Sequence, residues 1–335
     1  MRKKVVVHTG ARPGAPLKEE REALDAPDIE FILRGHCGTP EKVLEAVRDA
    51  DVALCYGEPY TREVFANAPL LKAVIRYGIG VDTVDVEAAT EYGVMVINFP
   101  DFCVDEVANH ALALMLACAR KLLLYDHTMR KRGWRASKEV RSPMGTIYGE
   151  TLGLIAFGNI ARALARRAQA LDMRVIAYDP FVEERVFRDA GVERVTSLEE
   201  LAERSDYISC HVPLTPQTRG MLDASFFTKM KPTAYFINTS RGLVVKEQDL
   251  ITALREGWIA GAGLDVFAEE PLPEGHPFLE MDNVILTPHL ASYADETFAR
   301  LYRRVGKAAL AIARGEVPTD VANVANPEVL SHRRK

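Results

Sequence analysis

Six short, almost wholly apolar segments recur through the second half of the chain, each separated from the next by a helical or polar stretch. They are LGLIA (152–156), MRVIAYD (173–179), YISCH (207–211), TAYFIN (233–238), AGAGLDV (260–266) and NVILT (283–287). A strand that is apolar at nearly every position has no face to turn to water and must be covered on both sides. Strands of that kind alternating with helices form βαβ units, and hence a parallel sheet. A less regular series precedes them: VVVH (5–8), IEFIL (29–33), VALC (52–55), KAVIR (72–76) and GVMVIN (93–98). Helical stretches at Pro40–Arg48, Arg62–Ala66 and Val84–Glu91 lie between. The expected class is α/β with two doubly wound parallel-sheet domains, and 335 residues are enough for two cores.

Between the two series runs a helical segment with Asp105 as its expected N-cap and Val107, Ala111, Leu114, Met115, Cys118 and Leu122 at helical spacing. A second amphipathic helix, 295–313, follows the last strand. Each sits where one series gives way to the other, so both read as crossover helices joining two domains around a cleft. The polar tail, 317–335, is expected on the surface.

A net charge of −5 gives no reason to expect nucleic acid or an anionic membrane as partner. The five cysteines are odd in number and form no CxxC pair, which reads as reduced thiols rather than a disulfide framework. No apolar run approaches the roughly 18 residues of a membrane span. The apolar part of MRKKVVV is shorter than the roughly 7 residues a secretory signal needs. A cytoplasmic location is expected, and no HxxxH or clustered Cys/His pattern suggests a metal.

The segment 152–156 leads through Phe157, Gly158, Asn159 and Ile160 into the helix ARALARRAQAL (161–171). A strand, a tight glycine turn and a helix N-terminus together present free N–H groups and a favourable dipole to an anion. Twenty-one residues past Gly158, at the next strand's end, stands Asp179, where an acid can hold an adenosine ribose and repel a 2′-phosphate. The pattern departs from G-x-G-x-x-G by reading Ala156-x-Gly158-x-x-Ala161; alanine at the first position is the substantial departure, because that residue forms the turn. The expectation is a dinucleotide site that prefers NAD to NADP.

Three further residues follow later strands: Arg241 after 233–238, Glu270 after 260–266 and His289 after 283–287. Reduction of a 2-oxo acid needs a cation to orient the carboxylate, a proton donor at the carbonyl oxygen, and a counter-charge for that donor. Arginine, histidine and glutamate meet those needs. Singly, each has an ordinary explanation as a loop or surface residue; Glu269 beside Glu270 is the internal comparison. Their weight lies in standing at three successive strand ends. His110, inside an apolar helix, reads as a supporting core residue.

At these residues the chain resembles the D-isomer-specific 2-hydroxyacid dehydrogenases over nearly its whole length. The blocks are RYGIGVDTVD (76–85), DEVANHALALML (105–116), TLGLIAFGNIARALA (151–165), YDP (178–180), HVPLTPQTRG (211–220), INTSRG (237–242), GLDVFAEEP (263–271) and TPHLAS (287–292). The resemblance implies a Rossmann nucleotide-binding domain, 105–292, inserted in a flavodoxin-like substrate domain, 1–104 plus 293–335. It implies NAD as cofactor, held by Gly158, Asn159, Ile160, Asp179, the backbone of His211, Val212 and Pro213, Thr239 and Ser240, with Asp265 on the nicotinamide carboxamide. Arg241 becomes a substrate-binding and electrostatic residue, His289 the acid/base and Glu270 its partner. The N–H groups of Ile79 and Gly80 become the substrate carboxylate site, and a homodimer is implied.

The blocks lie nearest the branch of C-terminal-binding-protein-like and phosphoglycerate-dehydrogenase-like bacterial enzymes. The arginine–serine pair that 3-phosphoglycerate enzymes commonly carry after the third strand is replaced by Cys55-Tyr56-Gly57-Glu58, and the sequence ends at 335 without the regulatory domain many of them append. A small D-2-hydroxy acid is therefore expected ahead of 3-phosphoglycerate. Tyr56, Tyr77, Phe99, Cys103 and Tyr293 are the candidates for a substrate pocket. The alternative class is an NAD(H)-sensing interaction protein of the corepressor type with little catalysis.

Overall fold

The computed structural model describes residues 2–140 and 144–334. The chain divides into two compact units, residues 1–102 with 294–335 and residues 103–293. The first opens with β1 (Lys4–His8), β2 (Ile29–Leu33), β3 (Val52–Cys55), β4 (Ala73–Arg76) and β5 (Met95–Asn98). The second carries β6 (Thr151–Ile155), β7 (Arg174–Tyr178), β8 (Glu193–Arg194), β9 (Tyr207–Cys210), β10 (Tyr235–Asn238), β11 (Gly261–Leu264) and β12 (Val284–Leu286). The chain then returns to the first unit as the helix Asp295–Ala313 and a short strand, β13 (Asn323–Val324).

In the second unit the strands lie in the order β12-β11-β10-β9-β6-β7-β8, all parallel. Strands β6, β9, β10 and β11 are buried at every position, as their unbroken apolar character requires. Because all seven run the same way, the residues following each strand gather at one edge of the sheet. The order reverses between β6 and β9, and the crevice at such a switch point is where open α/β sheets bind ligands.

The first unit has the order β13-β5-β4-β3-β1-β2, parallel throughout except for β13 against β5. Its helices show why they begin where they do: Thr39 caps 40–47 with Pro40 at the first position, and Asp85 Oδ1 accepts the Ala88 N–H at 2.9 Å to start 86–91.

Three expectations need correction. The apolar segment 105–122 is not one helix and Asp105 is not its cap. Val104–Ala119 starts after Cys103, and the chain breaks at Lys121, which sits in the left-handed region (φ 52°) before a second helical segment, Leu122–Glu139, itself kinked at Gly133 (φ 77°). Asp105 lies in the first turn and pairs instead with Arg167 at 2.6 Å. The tail is not merely superficial. It adds β13, and the wholly buried Asn326 takes the Val96 N–H (2.8 Å) and gives its amide to the Val94 carbonyl (3.0 Å), continuing the edge of β5 with a side chain. Of the pocket candidates, Tyr77 and Phe99 pack within the core of the first unit and Cys103 is buried just before Val104–Ala119, all at most 5% exposed.

Candidate active site

Arg241, Glu270 and His289 follow β10, β11 and β12, three neighbouring strands of one parallel sheet. His289 Nδ1 lies 2.6 Å from Glu270 Oε2, while Glu270 Oε1 accepts the Phe267 N–H at 3.0 Å. Of the two adjacent acids, it is Glu270 that takes the imidazole. Burial works against ionising Glu270. The hydrogen bonds from His289 and the Phe267 N–H, and the charges of His289 and Arg241, outweigh it and hold the carboxyl below its ordinary range. The three groups therefore act on one another. With Nδ1 committed to the carboxylate, Nε2 is the ring nitrogen left for a substrate.

His289 occupies the left-handed region (φ 54°), a conformation histidine tolerates better than most side chains but still at a cost. Its loop is held by Asp265. The Asp265 carbonyl accepts the His289 N–H (2.8 Å), and its wholly buried carboxylate accepts Thr287 Oγ1 (2.6 Å) and the N–H groups of Leu290 (3.0 Å) and Ala291 (2.9 Å). His110 Nε2 completes the brace, 2.9 Å from Thr287 Oγ1. Asp265 thus has a task the sequence did not suggest, and only about one of a carboxylate's four acceptor positions remains for a ligand.

The loops bearing Arg241 and Glu270 are fitted against each other through Gly242. A Cβ at that position would lie 1.9 Å from the Phe267 carbonyl carbon and 2.0 Å from its oxygen. Two further residues, unmarked in the sequence, stiffen them. Asn238 accepts Ser240 N–H and Oγ and donates to the Arg241 carbonyl, and Glu247 accepts the Ala268 N–H while contacting His276. Neither follows a periodic pattern, and only their places, at the last residue of β10 and at the start of the helix Glu247–Arg255, give them meaning.

The edge of β6, β7, β9 and β10 fits a dinucleotide on three observations. Gly158 has an ordinary φ of −74°, and among the described residues a Cβ there would meet nothing within 4 Å, so open space adjoins the turn that leads into the helix Asn159–Gln169. Thr239 Oγ1 is buried and has no hydrogen-bond partner among the described residues, an unsatisfied group that a ligand would satisfy. Asp179, at the end of β7, accepts the Phe157 and Phe181 N–H groups, both at 2.9 Å, which ties it to the glycine turn and leaves acceptor positions for hydroxyls. His211, Val212 and Pro213 follow β9; burial pushes the His211 imidazole down to about 4, and its Nε2 sits 2.9 Å from Ser209, so backbone is what this segment offers. Ser240 is turned inward onto Asn238 and Cys210. Ala156, the departure from the glycine pattern, takes φ 71°, the left-handed conformation that a glycine would adopt without strain.

In the first unit, Ile79 and Gly80 follow β4. The N–H group of neither finds an acceptor among the described residues, as an anion site would require. Among the described residues no group of His, Cys, Asp and Glu could hold a metal ion.

Residues 112–291 match the D-isomer specific 2-hydroxyacid dehydrogenase, NAD binding domain, family. The chain is 41% identical over 293 residues to a glyoxylate reductase from Korarchaeum cryptofilum, covering 87% of each. It is 40% identical over 289 residues to a D-3-phosphoglycerate dehydrogenase from Methanocaldococcus jannaschii, covering 86% of this chain and 54% of that protein. A crystal structure of a glyoxylate reductase from Paecilomyes thermophila matches with a TM-score of 0.82 at 27% identity, over 95% of this chain and 98% of the other. With the family's domain filling more than half of its length, the chain belongs to the D-isomer-specific 2-hydroxyacid dehydrogenases, oxidoreductases of 2-hydroxy and 2-oxo acids that carry an NAD-binding domain.

Proposed function

We propose that this protein reduces a small 2-oxo acid to the D-2-hydroxy acid with NADH as donor. The observation that carries the reading is the His289–Glu270 hydrogen bond, with the Arg241 charge felt by the same carboxylate. NADH, when bound, supplies a hydride for the carbonyl carbon. His289 holds at Nε2 the proton that the carbonyl oxygen takes up, and Glu270 fixes the ring and balances its charge. Arg241 orients and polarises the substrate, and within the first unit the loop of Ile79 and Gly80 offers N–H groups suited to a carboxylate. Gly158, Asn159 and Ile160 would receive the pyrophosphate, Asp179 a ribose, Thr239 Oγ1 and the backbone of His211–Pro213 and Ser240 the remainder, and the last acceptor position of Asp265 the carboxamide. Asp179 favours NADH over NADPH, because its charge opposes a 2′-phosphate.

Glyoxylate and acids of similar size are the favoured substrates, since glyoxylate reductases are among the relatives. 3-Phosphoglycerate is the second reading, through the phosphoglycerate dehydrogenases among them. The loop after β3 argues against it. Glu58 is buried there, accepting the Tyr56 and Gly57 N–H groups, so a carboxylate stands in the segment where an arginine would be needed. A homodimer accompanies the proposal. The kinked segment Leu122–Glu139 leaves Leu122, Leu123, Met129 and Trp134 exposed beside a groove of about 760 Å³, an apolar patch of the kind that suits a partner surface.

The test is NADH or NADPH consumption followed by absorbance with glyoxylate, hydroxypyruvate, pyruvate and 3-phosphohydroxypyruvate. NADH-linked turnover of a small 2-oxo acid is expected. Tight NADH binding with no turnover of any acid would overturn the proposal in favour of the sensor.

A further inference from the structure

We infer that Asn98 and Asn323 are positioning residues for the substrate carboxylate, acting by aiming the peptide groups of Ile79 and Gly80. The inference rests on the reading of that loop given above. Two consecutive carbonyls after β4 are pinned from the end of β5. The Phe99 N–H donates to the Gly78 carbonyl at 3.0 Å, and Asn98 Nδ2 donates to the Ile79 carbonyl at 2.6 Å. In a trans peptide the N–H points opposite to the carbonyl of the same plane. Holding the Gly78 oxygen therefore turns the Ile79 N–H away from β5, and holding the Ile79 oxygen does the same for the Gly80 N–H. These are the two amides that lack an acceptor among the described residues.

Asn98 is 8% exposed, and its orientation is not free. Its nitrogen must face the Ile79 oxygen, so its own oxygen faces the other way, where Asn323 Nδ2 donates to it at 2.8 Å. Asn323 lies on β13, directly opposite Asn98 in the antiparallel register. Arg304 keeps that strand in place by giving its Nε to the Val321 carbonyl (2.8 Å) while its two terminal nitrogens take Asp101, just past β5 (2.9 and 3.2 Å). The C-terminal segment thus does more than close a sheet edge. Through one amide it sets the direction of a second, and through that the direction of the two donors.

The experiment measures steady-state kinetics with glyoxylate and NADH, and calorimetric affinity for oxamate, an unreactive isostere of pyruvate with the same carboxylate beside a carbonyl, in Asn98→Ala, Asn323→Ala, the double variant and Asn98→Gln. For Asn98→Ala, KM for glyoxylate should rise about tenfold and oxamate affinity fall equally, the size of one lost hydrogen bond. The kcat should change less than KM, and KM for NADH should stay within twofold. Asn323→Ala should raise the glyoxylate KM by about threefold, and the double variant should match Asn98→Ala, because Asn323 acts only through Asn98. Asn98→Gln, which keeps the donor, should recover part of the loss. An unchanged glyoxylate KM in a folded Asn98→Ala, or effects of the two substitutions that multiply, would overturn the inference. Wild-type protein that binds oxamate but turns over no acid would sink the proposed reaction while leaving this inference to the binding data; oxamate affinity absent in the wild type would sink both.

Discussion

Gly242→Ala is the substitution whose effect the geometry predicts most fully. The added methyl would sit 1.9 Å from the Phe267 carbonyl carbon, 2.0 Å from its oxygen and 2.5 Å from its Cα, all backbone atoms that no rotamer change can clear. Ordinary carbon contacts begin near 3.5 Å, so the two loops must part by about 1.5 Å. Arg241 precedes the methyl directly, and Glu270 follows Phe267 by three residues, held to its N–H at 3.0 Å. The separation therefore falls between the guanidinium and the carboxylate that orients His289. A misplacement of about 1 Å costs on the order of 100-fold in rate, and overpacking of this kind costs about 1–3 kcal/mol of stability. The assay is kcat with the best 2-oxo acid, beside thermal melting and NADH affinity from fluorescence. A folded variant with kcat reduced by about two orders of magnitude and NADH affinity nearly intact is expected. Wild-type kcat/KM in Gly242→Ala would refute the idea that close loop contact sets the catalytic geometry.

Other perturbations follow from the same structure. Ala156→Gly should stabilise the second unit by about 0.5–1 kcal/mol, since a left-handed alanine costs about 1–2 and glycine returns about 0.5–1 in chain entropy; a melting temperature that falls would contradict it. His8 is wholly buried, its imidazole lowered to about 4 by burial, so the unfolded chain takes up a proton first as pH drops from 6.5. Stability should therefore be complete above 6.5 and decline toward pH 4, less steeply in His8→Asn; urea titrations at pH 7 and pH 5 measure the difference, and equal slopes in the two proteins would exclude the effect. Asp179→Asn should raise the NADPH-to-NADH ratio of kcat/KM about tenfold by removing a like charge, and an unmoved ratio would remove the ribose assignment. His289→Ala should lower kcat by about 10²–10⁴ while leaving NADH affinity unaltered; turnover near wild type would show that another group delivers the proton.

The strands were legible because their chemistry is one-sided. IEFIL and VALC match β2 and β3 residue for residue, five of the six later apolar runs contain the strand observed, and the sixth, LGLIA, is offset by one residue from β6. Strands β8 and β13 escaped notice: Glu193–Arg194 and Asn323–Val324 are two residues each, largely polar, and exist because a neighbouring edge accepts them. The break at Lys121 was hidden for a related reason. Apolar spacing continues through Leu122, while the turn rests on a single left-handed residue that is not glycine. At the site, Arg241, Glu270 and His289 stood out because each follows a strand and carries a charge or a transferable proton. Asn98, Asn238 and Glu247 act on backbone carbonyls and N–H groups, and such partners become visible only in three dimensions. Ala156 lay between these cases: the strained position was evident from the glycine pattern, and the backbone there does take the angle glycine favours.

Isotope transfer tests hydride delivery most directly. The protein is incubated with NADH deuterated at nicotinamide C4 and with pyruvate, whose reduced C2 becomes chiral, and the product is examined by mass spectrometry and chiral chromatography. When the two C4 positions are labelled in turn, one form of NADH is expected to give D-lactate carrying one deuterium at C2 and the other form D-lactate without it. Lactate without C2 deuterium from both labelled forms, or deuterium in the L-enantiomer, would contradict direct hydride transfer to one face of a 2-oxo acid.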